Sequence, residues 1–314
     1  MSQIFSIKDA DSKISMDSIF SDDGSILKKS YTSSVPIKIG NDTFLFAYDK
    51  NSKKLDVYSL YDKEPWIELK KSDIDLGGHT WKILQTFVLG NIPHLLAYEP
   101  DGYIGIYQIG NDFSLSKPYS LKYTRGTTTD GFTTVEPFTS LGQQFFLCYN
   151  NVNGRVTNFK INVEVSSEGG SPPIRVSNVW WHKWDDSWNH FIFFTLGAAN
   201  FFFKIKTDPK KLNANIDHIQ DDPSRGGVEV GSHLDNQLDD PLSISIVKMI
   251  PWENGEPYFL TYTGKTGETE INHIHANCQG WKKLGKITTD KDVPMIVPYR
   301  IGTSTFALFY GGQS

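Results

Sequence analysis

The sequence predicts an all-β fold, a six-bladed β-propeller built from four-stranded antiparallel blades. The first observation is a repeat, in which five short apolar segments end in a tyrosine and a sixth, residues 190–194, is a degenerate copy ending at Phe194. The steps between these aromatic residues are 50, 51, 45, 68 and 48 residues, and a period near 50 suits a four-stranded blade. The five tyrosines are Tyr48, Tyr98, Tyr149, Tyr262 and Tyr310.

The second observation is that the copies contain the parts of a meander. A strand-like run ending near a glycine precedes each of the five tyrosine-ending strands, which indicates a hairpin. A turn follows, and a further apolar marker stands nine or ten residues beyond the aromatic residue, as an up-and-down sheet requires. The glycines are Gly40, Gly90, Gly142, Gly255 and Gly302, and the further markers are Tyr58, Tyr107, Phe159, Phe203 and Ile271.

The third observation concerns the two ends of the chain. The last copy stops at Tyr310, four residues from the C-terminus, so it lacks a third strand. Residues 4–7 are similar to residues 57–60 of the first blade, and nine residues separate Tyr310 from Phe5 across the chain ends. We therefore expect about residues 1–20 to complete the last blade and close the ring, which removes exposed sheet edges. The whole chain, 1–314, is then expected to form a single propeller domain.

The step of 68 residues predicts an insertion after the fourth blade, at about residues 207–242. Long loops on a rigid scaffold are often functional. The segment contains several aspartates that could bind calcium, although their spacing matches no twelve-residue calcium loop, and a solvated acidic loop is the alternative. These aspartates are Asp217, Asp221, Asp222, Asp235, Asp239 and Asp240.

Composition restricts the classes of partner. The 314 residues carry a formal net charge of −5, which leaves no broad basic surface for nucleic acid. The N-terminus lacks a secretory pattern and no apolar run is long enough to span a membrane. Two cysteines form no disulfide framework. We expect a soluble protein that is cytoplasmic or released without a classical signal peptide, and its oligomeric state stays open.

Tryptophans and neighbouring carboxylates are the candidate ligand-binding residues. Four of the eight tryptophans lie within residues 180–188. An indole ring offers an apolar face and one N–H donor, which suits a sugar ring, but it also suits packing between blades. The candidates are Trp66, Trp181, Trp184, Trp252 and Trp281 as stacking surfaces and Asp185 and Asp186 as acceptors of hydroxyl hydrogen bonds.

The chain resembles the lectin-like propellers, which are also built from tryptophan-bearing blades of about 50 residues. The resemblance covers the whole chain and is architectural, because no sugar-contacting motif aligns residue by residue. It implies a carbohydrate- or glycan-binding protein with pockets between blades or at loop tips, and several weak sites would gain by multivalency. The partner is then a glycan or another small polar ligand.

Two other functions remain open. The first is an enzyme, a hydrolase, lyase or cyclase that uses the central channel, with acid–base candidates drawn from several blades. The second is a protein-interaction scaffold. No P-loop, nucleophile elbow or HExxH motif occurs, so no cofactor is expected and catalytic residues cannot be assigned. A zinc site at His273, His275 and Cys278 is considered, but a lone HxH is weak and no metal is expected. The acid–base candidates are His79, His182, His233, Glu136 and Asp185.

Overall fold

The computed structural model describes residues 2–10, 13–22, 26–27, 29–123, 131–163, 174–208, 211–222, 227–238 and 244–311. These residues form six four-stranded antiparallel sheets and no helix, which confirms the predicted fold. No helix among them is long and apolar enough to cross a membrane.

The strands follow one another along the chain, so each blade is a simple meander. In chain order they are β1 (Ser2–Ala10), β2 (Lys13–Asp22), β3 (Ser33–Ile39), β4 (Asp42–Asp49), β5 (Lys54–Leu60), β6 (Ile67–Asp75), β7 (Ile83–Leu89), β8 (Ile92–Tyr98), β9 (Tyr103–Ile109), β10 (Leu115–Lys122), β11 (Thr134–Ser140), β12 (Gln143–Tyr149), β13 (Arg155–Val163), β14 (Ile174–Lys183), β15 (His190–Leu196), β16 (Ala199–Asp208), β17 (Lys211–Asp222), β18 (Gly227–Leu238), β19 (Ile246–Ile250), β20 (Tyr258–Thr263), β21 (Glu268–Ile274), β22 (Trp281–Thr288), β23 (Met295–Ile301) and β24 (Ser304–Tyr310).

The blades are numbered from β3, so that the first contains β3–β6 and the fifth contains β19–β22. The sixth blade joins both ends of the chain, because β1 pairs with β24 from Ser2 opposite Tyr310 to Ile7 opposite Thr305. The predicted closure by the N-terminal strand is therefore confirmed. The innermost strands β3, β7, β11, β15, β19 and β23 contact one another in this order, and β23 returns to β3. They enclose the central channel.

In the described part of the chain the apolar core forms six clusters, one at each junction between neighbouring blades. The second strand of each blade supplies several fully buried side chains, such as Phe46 and Phe146. Strands that are covered on both faces are apolar at nearly every position. This burial explains why the tyrosine-ending strands form the clearest repeat in the sequence.

The terminal tyrosines of these strands also connect each blade to the next. In five blades the hydroxyl accepts a hydrogen bond from a backbone N–H two residues before the following inner strand, and it donates to a nearby backbone carbonyl. The Tyr262 hydroxyl, for example, accepts from Val293 at 2.9 Å and donates to Asp290 at 2.8 Å. The repeated aromatic residue is therefore a hydrogen-bonded clamp between blades. The corresponding residue of the fourth blade is Ile205, opposite His190.

The structure corrects the predicted alignment of the fourth blade. Residues 190–194 belong to the inner strand β15, and the second strand is β16, so Phe203 lies in the second strand rather than the third. The predicted insertion at 207–242 contains β17 and β18, the two outer strands of this blade, each 12 residues long. The alignment failed because Ile205 lacks the aromatic ring that marks the other blades. The asparagines and aspartates of β17 then favoured a loop.

We expect Tyr262→Phe to lower the free energy of unfolding by about 1–3 kcal/mol, because it leaves the Val293 N–H and the Asp290 carbonyl without this partner in a buried junction. Urea denaturation measures the change. Tyr61→Phe is the matched control, since the Tyr61 hydroxyl donates to Glu68 in an exposed pair and its loss should cost less than about 0.5 kcal/mol. Equal effects of the two substitutions would contradict the clamp.

Candidate active site

The central channel contains a cavity of about 560 Å³ at the end where the inner strands begin. All six inner strands contribute to its wall. A volume of this size lies within the range of small-molecule sites, which is about 300–1,000 Å³. The first residues of the strands, which all line it, are Ser33, Ile83, Thr134, His190, Ile246 and Met295.

Among the described residues that line this cavity, Glu136 is the single carboxylate. It is the third residue of β11, and its Oε1 accepts a hydrogen bond at 3.0 Å from Nε2 of Gln85, the third residue of β7 in the neighbouring blade. Burial raises the pKa of Glu136 to about 7, although the charge of Lys248 acts to lower it. A carboxyl group with this pKa is present in both protonation states near neutral pH, as a general acid or base requires.

His190 lines the same cavity from the adjacent blade. Its Nε2 lies 3.3 Å from the backbone carbonyl of Ile244. Because a carbonyl can only accept, the hydrogen bond assigns the proton to Nε2 and leaves Nδ1 as an acceptor in the neutral ring. Burial lowers the pKa of His190, and Lys248 adds to this effect. His190 is therefore a neutral imidazole at physiological pH.

Taken together, the blades place an acid–base carboxyl, a neutral imidazole and an amide donor in one cavity. Glu136, His190 and Gln85 come from three consecutive blades, and Thr134 adds a hydroxyl group to the same wall. Such a set can hold a small polar molecule by hydrogen bonds and exchange protons with it.

Three of the predicted ligand-binding tryptophans lie at the opposite ends of the blades and in different places. Trp66 lies just before β6, the fourth strand of the first blade, and Trp281 is the first residue of β22, the fourth strand of the fifth blade. Trp252 lies in the hairpin after β19. Trp281 packs on Phe203 with ring centroids 5.1 Å apart, and Trp252 packs on Tyr258 at 4.7 Å. These three tryptophans do not form a common site with the cavity.

The other predicted ligand-binding residues lie along and after β14 in the third blade. Trp181 is 58% exposed, and the guanidinium of Arg155 lies 4.9 Å from its ring centroid. Trp184, Asp185 and Asp186 follow in the connection to β15, where Asp185 and Asp186 are exposed. The structure therefore brings the last three together and leaves Trp181 on the outer strand. None of the four lines the channel cavity.

Trp184 instead covers a buried cation. Lys204 Nζ lies 3.9 Å from the Trp184 ring centroid and 4.9 Å from that of Trp188. The same ammonium group pairs with Oδ2 of Asp217 at 2.5 Å, and both side chains are 5% exposed. Part of the tryptophan cluster is thus a structural element of the fourth blade.

Of the predicted acid–base residues, Glu136 is the one that lies in the channel lining. His79 pairs with Glu99 at 2.8 Å outside this lining, while His182 stacks on Trp180 and Asp185 is exposed. The side chain of His233 lies outside the described residues. Sequence reasoning missed His190 and Gln85. The strands that precede the hairpin glycines are the innermost strands of the blades, and they line the channel. Polar residues near the starts of these strands could therefore have been predicted as candidate site residues.

The metal hypotheses gain no support from the part of the chain that the structure describes, where no group of three or more His, Cys, Asp or Glu residues is arranged to hold an ion. His273 pairs with Glu256 at 2.8 Å and stacks on Tyr258, and Cys278 is buried in the core. Of the suggested calcium ligands, Asp239 and Asp240 and the side chain of Asp235 lie outside the described residues.

Comparison with known proteins gives a fold and no family. No family model matches the chain, and no curated protein matches it. Solved structures are similar: one from Bacteroides fragilis titled "putative 6-phosphogluconolactonase" has a TM-score of 0.52 at 15% identity, covering 94% of this chain and 84% of that one. One from Bacteroides uniformis with the same description has 0.51 at 12%, covering 94% and 85%. A Lactobacillus plantarum protein has 0.53 at 11%, covering 94% and 84%. At these identities the likeness shows the fold alone.

Proposed function

We propose that this protein is an enzyme that performs acid–base catalysis on a small polar substrate in the central channel. The observation that carries the proposal is Glu136, which burial holds at a pKa of about 7 in a cavity of about 560 Å³. Carboxyl groups in a cleft with a strongly shifted pKa are typical of catalytic sites. The Gln85 amide fixes the orientation of this carboxyl group through a bond of 3.0 Å.

Hydrolysis of a sugar lactone is the reaction that we would test first. Two structural neighbours are described as 6-phosphogluconolactonases, and the volume of the cavity is within the range for a small polar ligand. In the proposed step, ionised Glu136 removes a proton from water while the water oxygen forms a bond to the lactone carbonyl carbon. The ring C–O bond then breaks, and Glu136 returns the proton to the departing oxygen. One water is consumed and the carboxylate is restored.

The test is hydrolysis of glucono-δ-lactone and related lactones by the purified chain, followed by acid release in a pH-stat. We expect a rate above the spontaneous reaction that saturates with substrate. A folded protein that accelerates neither lactones nor a wider panel of sugar esters and glycosides would refute the proposal. Circular dichroism of the same preparation establishes that the protein is folded.

Glycan binding is the second candidate function, and a cavity between the first blade and the connection that enters it from β2 favours it. This cavity has a volume of about 590 Å³ and is lined by Tyr31, Tyr58, Asp73 and the 47% exposed Leu69. Leu69 offers an apolar surface and Asp73 a hydrogen-bond acceptor to a sugar ring, while the hydroxyl groups of Tyr31 and Tyr58 bond to each other below them. On a glycan array, we expect binding that Leu69→Ala weakens and Glu136→Gln leaves unchanged. An array with no binding by the folded protein would exclude this candidate.

A further inference from the structure

The charge of the channel is opposite to the charge of the chain. The chain carries a formal net charge of −5. Of the residues that the structure describes, those lining the cavity include two lysines, Lys82 and Lys248, and one carboxylate, Glu136. Since Glu136 is partly protonated near neutral pH, the balance in the cavity is positive. A cavity lined mainly by one sign of charge attracts ligands of the other sign.

The two lysines do not repeat a structural position. Lys82 immediately precedes β7, and the residues at the same place before the other five inner strands are uncharged, namely Thr32, Thr133, Asn189, Ser245 and Pro294. Lys248 is the third residue of β19, where the other blades have Val35, Gln85, Glu136, Ile192 and Val297. The propeller fold therefore does not require a cation at either place.

The two lysines are also not engaged in ion pairs, unlike several other lysines of the described chain. Lys8, Lys54, Lys70 and Lys122 each lie within 4.0 Å of a carboxylate oxygen. Within the described part of the chain, neither Lys82 nor Lys248 has such a partner, although Lys248 is close enough to influence Glu136 and His190 electrostatically. Their ammonium groups are available to a ligand.

We propose that the channel ligand is an anionic molecule of about the size of a sugar acid or sugar phosphate. Lys248 binds its negative group beside Glu136 and His190, and Lys82, in the opposite blade, attracts it at the rim. The two lysines lie three blades apart in the ring of six. A carboxylate and a phosphate share this chemistry. The proposal deepens the channel function proposed above, and it concerns binding rather than turnover.

Isothermal titration calorimetry of the full chain tests the proposal with gluconate, glucose 6-phosphate and neutral glucose. We expect the two anions to bind at least tenfold more tightly than glucose, with an affinity that falls as salt is added. Lys248→Gln should weaken anion binding about tenfold, as expected for a lost hydrogen bond to a charged group, and Lys82→Gln about threefold. Whichever anion binds more tightly, gluconate or glucose 6-phosphate, indicates whether the natural ligand carries a carboxylate or a phosphate.

Lys38→Gln is the matched control, because Lys38 is an exposed lysine on the inner strand β3 outside the cavity lining. It should leave the affinity unchanged. Glucose binding as tightly as the anions, no anion binding at all, or anion binding that Lys248→Gln does not weaken would overturn the proposal. Anion binding without any turnover would instead refute only the enzymatic function.

Discussion

Replacing Glu136 with glutamine is expected to lower the turnover number by about 10²–10⁴-fold, the usual effect of removing a general acid or base. The substitution keeps the size of the side chain, and the new amide oxygen can still accept the hydrogen bond from Gln85. Substrate affinity should therefore change little. Steady-state kinetics on the best substrate of the lactone panel would separate the loss in kcat from any change in KM.

The pH profile gives a second measurement of the same group. Because the pKa of Glu136 is about 7, the wild-type kcat/KM should rise with an apparent pKa near 7 if the ionised form is the base. A variant that still turns over with the wild-type pH profile would show that another group performs the chemistry.

As pH rises, the free energy of unfolding should fall while the activity rises. In the unfolded chain Glu136 ionises near its usual pKa of 4.5, whereas in the folded chain it keeps its proton until about pH 7. The folded state therefore loses stability as pH rises from about 4.5 to 7, by an upper bound of about 3 kcal/mol. Urea denaturation should show Glu136→Gln to be more stable than wild type at pH 8 and equal to it at pH 4. A variant that is no more stable at pH 8 would contradict the burial of the charge.

The tyrosine-ending strands allowed the sequence to predict most of the fold. Their aromatic residues recur because each packs at a blade junction and clamps the next blade through its hydroxyl. Both ends of the chain supply strands to one sheet, so the spacing between Tyr310 and Phe5 also predicted the closure. The prediction was wrong for the fourth blade, because Ile205 occupies the buried position that a tyrosine occupies in the other blades. Burial at this position requires an apolar side chain of any kind. The sequence repeat, however, was recognised only from its aromatic side chains.

The candidate site was less predictable because its residues share no motif. Glu136, His190 and Lys248 lie at the starts of inner strands that are more than fifty residues apart in sequence. Only the closure of the ring brings them to one cavity. The tryptophans were the more visible signal, yet Trp180 and Trp188 are buried, and the half-buried Trp281 packs against the core of the fifth blade's junction. An aromatic residue in a propeller blade contributes to packing before it contributes to binding.

The buried ion pair of the fourth blade leads to the second large prediction. Asp217→Ala is expected to lower the free energy of unfolding by about 3–5 kcal/mol, because it leaves the Lys204 ammonium, 5% exposed, without its carboxylate. The Trp184 and Trp188 rings near that ammonium offset only part of this cost. Equilibrium urea denaturation at neutral pH measures the loss.

Two comparisons separate the buried charge from a simple loss of packing. Asp17→Ala removes the carboxylate of the exposed Lys8 pair, in which the side chains are 61% and 54% exposed, and should cost less than about 1 kcal/mol. Lys204→Met combined with Asp217→Leu removes both buried charges and should recover most of the stability lost in Asp217→Ala, since apolar side chains of similar volume often replace a buried ion pair without loss. A double variant as unstable as Asp217→Ala would contradict the prediction. The loss of stability would then come from packing around Asp217 and not from the unpaired charge of Lys204.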